Sequence, residues 1–375
     1  MRGHIRKRGN KWCAVVDIGK DPQTGKRKQK WYSGFKTKKE AEKALADIIA
    51  KIEKGEYFEP ANMTLSQFLD EWLDVYCRPK LAPKTYKSYS EIVRLYFKPI
   101  LGHIELTKLN PAVIQRYYNM LKEEKQLSDT TINYHHRLLR NALKHAVKWQ
   151  YISKNPCDAV DAPKKRKVEM KVWSREDIKK AEKIFSNTPI FIHVMLAIYT
   201  GMRLGEICAL KWEDINFKDG TCVVRRTIQR VNKELIIKEP KTDSSIRVVA
   251  LPQNTIELLK LEKKKQAETR MLFGSKYDTS YDGFISVWED GRFKEPDYVS
   301  KKFHKILAAT PELPMIRFHD LRHTHATLML ASGVHMKVIS ERLGHSQIGI
   351  TMDLYSHVSI DLQKEAIKKL ETLLQ

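Results

Sequence analysis

Four residues with the side chains of anion chemistry, His319, Arg322, His345 and Tyr355, share one stretch of fewer than forty residues, HDLRHTHATLMLASGVHMKVISERLGHSQIGITMDLYSH. Imidazole and guanidinium suit a phosphate, because an arginine fork meets its oxygens two at a time. A tyrosine beside them is a candidate nucleophile. Neither a cysteine cluster nor paired carboxylates accompany the set. His319 and His323 stand four apart, the spacing of two zinc ligands on one helix, with His325 nearby. Arg322 between them, and no glutamate at the general-base position, argue against a metal. No metal or cofactor is therefore expected, and His323 and His325 are read as structural.

Helices must position these side chains. ATLMLASG reads as a buried helix closing at Gly333, MKVISERLGH as an amphipathic helix closing at Gly344, and ITMDLYSHV as a short helix carrying Tyr355. Upstream, PIFIHVMLAIYTG reads as a buried helix ending at Gly201, directly before Arg203. Glu206 follows three residues later on the same helix face, placed to orient that guanidinium or to form a plain surface ion pair. CVVRRTIQRV, KELIIKEP and SSIRVVAL predict one three-stranded antiparallel sheet with Lys241 in its second turn. Ser174 and Asp177 cap REDIKKAEKIF, TIELLKLEKKKQAE and YVSKKFHKILAA read as helices, and residues 271–295 read as loop. DLQKEAIKKLETLL is a last amphipathic pattern.

This set resembles the tyrosine recombinase family, the phage-type integrases. The resemblance lies in H-x-x-R at His319 and Arg322, L-G-H at residues 343–345, and Tyr355 ten residues on. TGMRLGE around Arg203 and the K-T-x-x-S-x-R pattern that begins at Lys241 add to it. It implies a catalytic set of Arg203, Lys241, His319, Arg322, His345 and Tyr355, with DNA joined to the tyrosine as a 3′-phosphotyrosine. Double-stranded DNA attachment sites, a homotetramer on DNA, and accessory DNA-bending and excision factors are the implied partners. The implied role is integration and excision of a prophage or other mobile element. Two other readings stand beside it, a DNA-relaxing enzyme like the type IB topoisomerases and a non-catalytic DNA-binding regulator. A separate amino-terminal module and a short chain favour the recombinase over the first. Six filled catalytic positions argue against the second.

Composition agrees with a polyanionic partner. Among 375 residues, 68 Lys and Arg against 45 Asp and Glu give a net charge of +23, a balance that favours counterion release on nucleic acid. Ribosome-associated and membrane-surface proteins share such charge. Five scattered cysteines without a C-x-x-C predict reduced thiols and a cytoplasmic protein. The segment MRGHIRKRGNKW has no apolar core of a leader, and no run approaches the roughly 20 apolar residues of a membrane span.

The expected fold is multidomain and mainly α. Residues 1–60 carry 16 Lys and Arg against 8 Asp and Glu. The strands HIRKRG, WCAVVDIG and KQKWYSGF, a turn at DPQTGK, a capping box from Thr37 to Glu40 and one helix are expected there. That layout resembles the family's arm-type DNA-binding domain, with Lys26, Arg27, Lys28 and Lys30 toward DNA. Residues 64–160 read as an all-helical core-binding domain. Its helices begin at Thr64 with Gln67, near Pro83, at Asn110–Pro111, and at TTINYHHRLLRNALKHAVKWQ. His135, His136, Arg137, Arg140, Lys144 and Lys148 are expected as a basic stripe on the last. Residues 161–173 form a basic linker whose PKKRKV also matches a nuclear-import signal. Residues 174–375 are the mixed α+β catalytic domain with a helical tail.

Overall fold

The structure is a computed structural model that describes residues 3–20, 27–53, 63–164, 170–231, 234–238 and 246–344, with Ile367 and Glu371. The chain divides into two compact units, Met1–Lys167 and Val168–Gln375.

In the first unit, β1 (Gly3–Arg8), β2 (Lys11–Lys20) and β3 (Arg27–Phe35) form an antiparallel sheet with β2 central. The DPQTGK turn lies outside the described residues. Cys13, Ala14, Val15 and Val16 of β2 are buried, and α1 (Lys38–Glu53) packs on this strand. The expected capping box is present, since Glu40 donates its N–H to Thr37 Oγ1 at 3.2 Å and accepts from Thr37 N at 3.4 Å.

The helices α2 (Leu65–Glu71), α3 (Arg78–Lys80), α4 (Pro83–Ile92), α5 (Lys98–Leu101), α6 (Pro111–Glu123) and α7 (Asp129–Lys148) follow. Thr64 and Gln67 close a second capping box at 2.9 and 3.3 Å. Asn110 accepts from Val113 N at 3.1 Å, a cap worth about 1 kcal/mol. Between α2 and α3, and between α4 and α5, the chain widens into π turns at Trp72–Cys77 and Val93–Phe97. Each turn presses its apolar ends into the core, Trp72 and Cys77 in one, Val93 and Phe97 in the other. One expectation needs correction. His135 faces inward, 2% exposed, with its Nδ1 2.9 Å from the Tyr117 hydroxyl. Ile132, His135, Leu138, Leu139, Ala142, Leu143 and Ala146 make the inner face of α7. The basic stripe is thus Arg137, Arg140, Lys144 and Lys148, all exposed, with His136 half-buried against Tyr118.

The second unit contains α8 (Arg175–Phe185), α9 (Phe191–Thr200), α10 (Leu204–Cys208), β4 (Ile215–Asn216), β5 (Thr221–Val224), β6 (Thr227–Val231), β7 (Glu234–Lys238) and β8 (Arg247–Ala250). It continues with α11 (Gln253–Phe273), α12 (Pro296–Ala308), α13 (Asp320–Ala331) and α14 (Met336–Leu343). α9 is apolar around most of its circumference and is buried, as an all-round hydrophobic helix must be. Trp173, from the end of the expected linker, is buried and donates its indole N–H to Pro314 O at 3.0 Å. The single three-stranded sheet expected here is instead two. β4, β5 and β8 form one antiparallel sheet, and β6 and β7 form a separate hairpin. The cause is Arg225–Arg226. Successive side chains of a strand point to opposite faces, yet both guanidinium groups reach the buried Asp214, at 2.8 and 2.6 Å. The backbone therefore leaves the extended pleat between β5 and β6.

All five cysteines are free thiols and all are buried. No helix of the described residues is long and apolar enough to cross a membrane.

Candidate active site

The site gathers where α9 and α14 end. Gly201 closes α9 with φ +66°, a left-handed conformation that side chains with a Cβ rarely adopt. Two residues on, Arg203 opens α10. Glu206 accepts from the Arg203 backbone N–H at 2.9 Å and from its Nη1 at 2.8 Å. The carboxylate is not on the surface. Its side chain is 9% exposed, and a second guanidinium lies on it, with Arg247 Nη2 at 2.7 Å and Nη1 at 3.3 Å.

α13 supplies the next pair. Asp320, buried, accepts from Arg317 N at 2.8 Å and from the Arg317 guanidinium at 2.8 and 3.0 Å. This clasp fixes the turn at which His319 begins the helix, one turn before Arg322. His319 keeps an exposed face, and its ring meets His323 edge-on at 5.2 Å between centroids. Arg322 is 2% exposed. It donates Nη1 to Gly201 O at 2.7 Å and Nη2 to Leu343 O at 2.6 Å. Each carbonyl stands at a helix C-terminus, where the backbone carries partial negative charge.

The end of α14 draws the set together. Its last turn offers carbonyls that a helix leaves without intrahelical partners. Arg247 Nε donates to Arg342 O at 2.8 Å, Arg322 to Leu343 O, and Arg203 Nη2 to Gly344 O at 3.3 Å. Arg342 itself donates to His325 Nε2 at 3.1 Å and to Tyr199 O and Ala250 O at 3.0 and 2.9 Å. The other nitrogen of His325 lies 2.8 Å from Ile198 O, so both ring nitrogens are engaged within the fold.

Four guanidinium groups surround this helix end, and among the described residues Glu206 is the one carboxylate paired with any of them. Burial first, then the neighbouring Arg203, pulls the Arg322 pKa down against the upward pull of Glu206, with a smaller downward contribution from Arg247. Burial pushes the Glu206 carboxyl up, but Arg247 and Arg203 outweigh it and hold it below the ordinary range. The protein packed around His319, together with His323, Arg322 and Arg203, lowers its pKa against the opposing pull of Asp320. A neutral imidazole thus borders a cationic pocket, an arrangement able to bind an oxyanion and accept a proton.

Of the six expected site residues, the fold brings Arg203, His319 and Arg322 together. Lys241, His345 and Tyr355 lie outside the described residues, as does the expected tail apart from Ile367 and Glu371; in the chain, Lys241 comes three residues after β7 and His345 two residues after α14. Arg247 was not singled out from the sequence. It is the last position of the K-T-x-x-S-x-R pattern, so the signal was present, but its partners are 41 and 95 residues away.

Comparison with known proteins follows the same lines. The model of the Phage integrase family matches residues 175–361. An Arm DNA-binding domain model matches residues 4–52, and a model of the N-terminal SAM-like domain of phage integrases matches residues 64–122. A "Tyrosine recombinase XerC-like" protein of Caldanaerobacter subterraneus subsp. tengcongensis is 32% identical, over 98% of this chain and 97% of that protein. The ICEBs1 integrase of Bacillus subtilis is 28% identical over 96% of each chain. Among solved structures, the Tn1549 transposon integrase in complex with transposon right end DNA gives a TM-score of 0.71 at 20% identity, covering 82% of this chain and all of that one. A lambda integrase tetramer bound to a Holliday junction gives 0.60 at 19% identity, covering 93% of this chain and 94% of the other. These two likenesses concern the fold.

Proposed function

The chain belongs to the phage integrase family, the tyrosine recombinases, and from that premise we propose how its site breaks and rejoins DNA. The observation that carries the reading is the pairing of a half-exposed Arg203 with a buried Arg322 at one cation-rich helix end. These two guanidinium groups hold the nonbridging oxygens of a scissile phosphate, Arg322 through the N–H groups that Gly201 O and Leu343 O leave free. They stabilise the charge that gathers there as phosphorus becomes pentavalent, the largest kind of catalytic contribution.

Tyr355 supplies the nucleophile. Its phenol, with a pKa of about 10 when unperturbed, gives its proton to a base as the oxygen attacks, and His319 takes it. The lowered pKa of His319 supports this role, because only the neutral ring accepts. The new bond joins Tyr355 to the 3′ phosphate. The bond to the 5′ oxygen breaks, and Lys241 protonates that oxygen as it leaves. His345 hydrogen-bonds a phosphate oxygen. The phosphotyrosine retains the energy of the broken bond, so a 5′-hydroxyl of another strand reverses the step without a nucleotide.

The partners in this reading are double-stranded DNA attachment sites, bound by four copies of the chain, with accessory bending and excision factors. The product is an integrated or excised mobile element. Residues 1–60 bind arm-type sites, residues 64–160 and 174–375 hold the core site from their basic faces, and residues 161–173 link them. Exposed Arg137, Lys144 and Lys148 support the middle assignment.

A nicked substrate whose short 5′ fragment diffuses away tests the chemistry. Wild-type protein becomes trapped on it as a covalent adduct on a denaturing gel. Tyr355→Phe binds the same DNA and forms no adduct; an adduct from this variant overturns the assignment of the nucleophile.

A further inference from the structure

We propose that Arg247 is the positioning residue of this site, which keeps the Arg203 guanidinium free for phosphate and fixes the helix end that leads into His345. This rests on the reading of Arg203 as a phosphate ligand.

The geometry separates the two arginines. Arg247 is 9% exposed and Arg203 is 42% exposed. Arg247 spends one edge on Glu206, at 2.7 and 3.3 Å, and turns its Nε to Arg342 O at 2.8 Å. Only a planar fork with donors in fixed directions grips a carboxylate on one edge and a carbonyl on another.

The grip matters because Glu206 is shared. A free carboxylate facing Arg203 closes on it with two parallel hydrogen bonds, the strong form of this pair. With Arg247 on both of its oxygens, Glu206 gives the Arg203 side chain a single contact, through Nη1. The second contact of Arg203 is the longer one, 3.3 Å, to Gly344 O. Its remaining N–H groups are left for an oxyanion. Without Arg247, Glu206 folds onto Arg203 as a bidentate pair and cancels the charge that the phosphate needs. The same loss releases the Arg342 carbonyl, three residues before His345.

The test uses the full-length protein and two nicked substrates, one with an ordinary phosphodiester at the cleavage position and one with a methylphosphonate. The methyl group removes the charge of one nonbridging oxygen, so a defect in charge neutralisation shrinks on it while a defect in folding does not. Arg247→Ala is expected to bind intact DNA as wild type does and to form adduct about 100-fold more slowly, the size of a misplacement of roughly an ångström. Arg203→Ala serves as reference, and the double variant is expected to fall no further than Arg203→Ala alone. On methylphosphonate both single variants recover most of their loss, whereas Lys241→Ala, defective at the 5′ oxygen, does not.

Equal slowing of Arg247→Ala on both substrates makes it a structural brace and overturns the proposal. Arg247→Lys keeps the charge and most of the volume but loses the fork, so it covers the case in which the alanine variant unfolds. It is expected to react about 10-fold more slowly, the loss of one charge-assisted hydrogen bond; a wild-type rate for it also overturns the proposal. If Arg203→Ala itself reacts at the wild-type rate, the reading of the site fails and the role of Arg247 falls with it.

Discussion

Replacing Glu206 by glutamine keeps the shape of the side chain and removes its charge. The carboxylate accepts four hydrogen bonds, at 2.9 and 2.8 Å from Arg203 and at 2.7 and 3.3 Å from Arg247. Whichever way the amide is turned, its nitrogen replaces an oxygen that met two donors, so two bonds are lost. The pair with Arg247 is 9% exposed on each side, and breaking a buried pair costs about 3–5 kcal/mol. Arg203 is 42% exposed, so solvent screening limits its share to under about 1 kcal/mol. With two bonds retained, the loss falls near the lower end, about 3 kcal/mol. At about 2–4 °C per kcal/mol for a unit of this size, the melting transition moves down by about 6–12 °C. Urea denaturation at pH 7, monitored on the transition of the second unit, measures it. Glu206 has a depressed folded-state pKa, so its contribution is fully present above the ordinary carboxylate range and is lost as pH falls from there through the lower folded-state value. The gap between wild type and variant should therefore narrow on acidification. Adding Arg247→Met removes the stranded cation and should recover at least half of the loss. A loss below about 1 kcal/mol at pH 7 refutes the claim that this pair is a buried tie.

Gly201→Ala places a Cβ 2.5 Å from Leu343 Cδ2 and 2.7 Å from the His325 ring at φ +66°; left-handed strain of about 1–2 kcal/mol and overpacking of about 1–3 add together. Gly344→Ala, also at φ +66° but 3.1 Å from the end of the Arg247 side chain, should cost less in urea, about 1 kcal/mol, and the opposite order refutes the packing account. Burial holds His193 and His325 down to about 3 and 4, so the unfolded chain takes up protons first as pH drops below about 6.5. Stability of the second unit should then fall at up to about 3 kcal/mol per pH unit between these limits; equal stability at pH 7 and pH 5 refutes it. For His319, lowered in the same sense, the single-turnover rate of adduct formation should persist below pH 6.5 and fail only under more acid conditions, and an acid limb above that value removes it as the base.

Local chemistry was the legible part of the sequence. Thr64 with Gln67, Thr37 with Glu40, and Asn110 before Pro111 announce helix starts because the bonded groups lie within three residues. Gly333 and Gly344 announce ends for the same reason. The split of the expected sheet was hidden because it depends on Asp214, a residue outside the strand pattern that draws Arg225 and Arg226 together. His135 misled because charge-capable residues at helical spacing look alike until Tyr117 fixes which one turns inward. Arg203, His319 and Arg322 were found from motif spacing. Glu206 was seen near Arg203, but its burial was not, since that burial comes from Arg247 on a distant strand.

The cysteines have a practical side. Burial pushes the thiols of Cys77, Cys157, Cys208 and Cys222 up to about 12, and Cys13 is 2% exposed. A thiolate is what attacks maleimides and alkylating reagents; Cys77, Cys157, Cys208 and Cys222 scarcely form one at neutral pH, and none of the five thiols is presented to solvent. The native surface is therefore silent toward thiol reagents. One cysteine placed at an exposed position, such as Lys337 on α14, would take a fluorophore or crosslinker without first stripping the other five. Distances between labelled copies on DNA then become measurable on the otherwise unmodified chain.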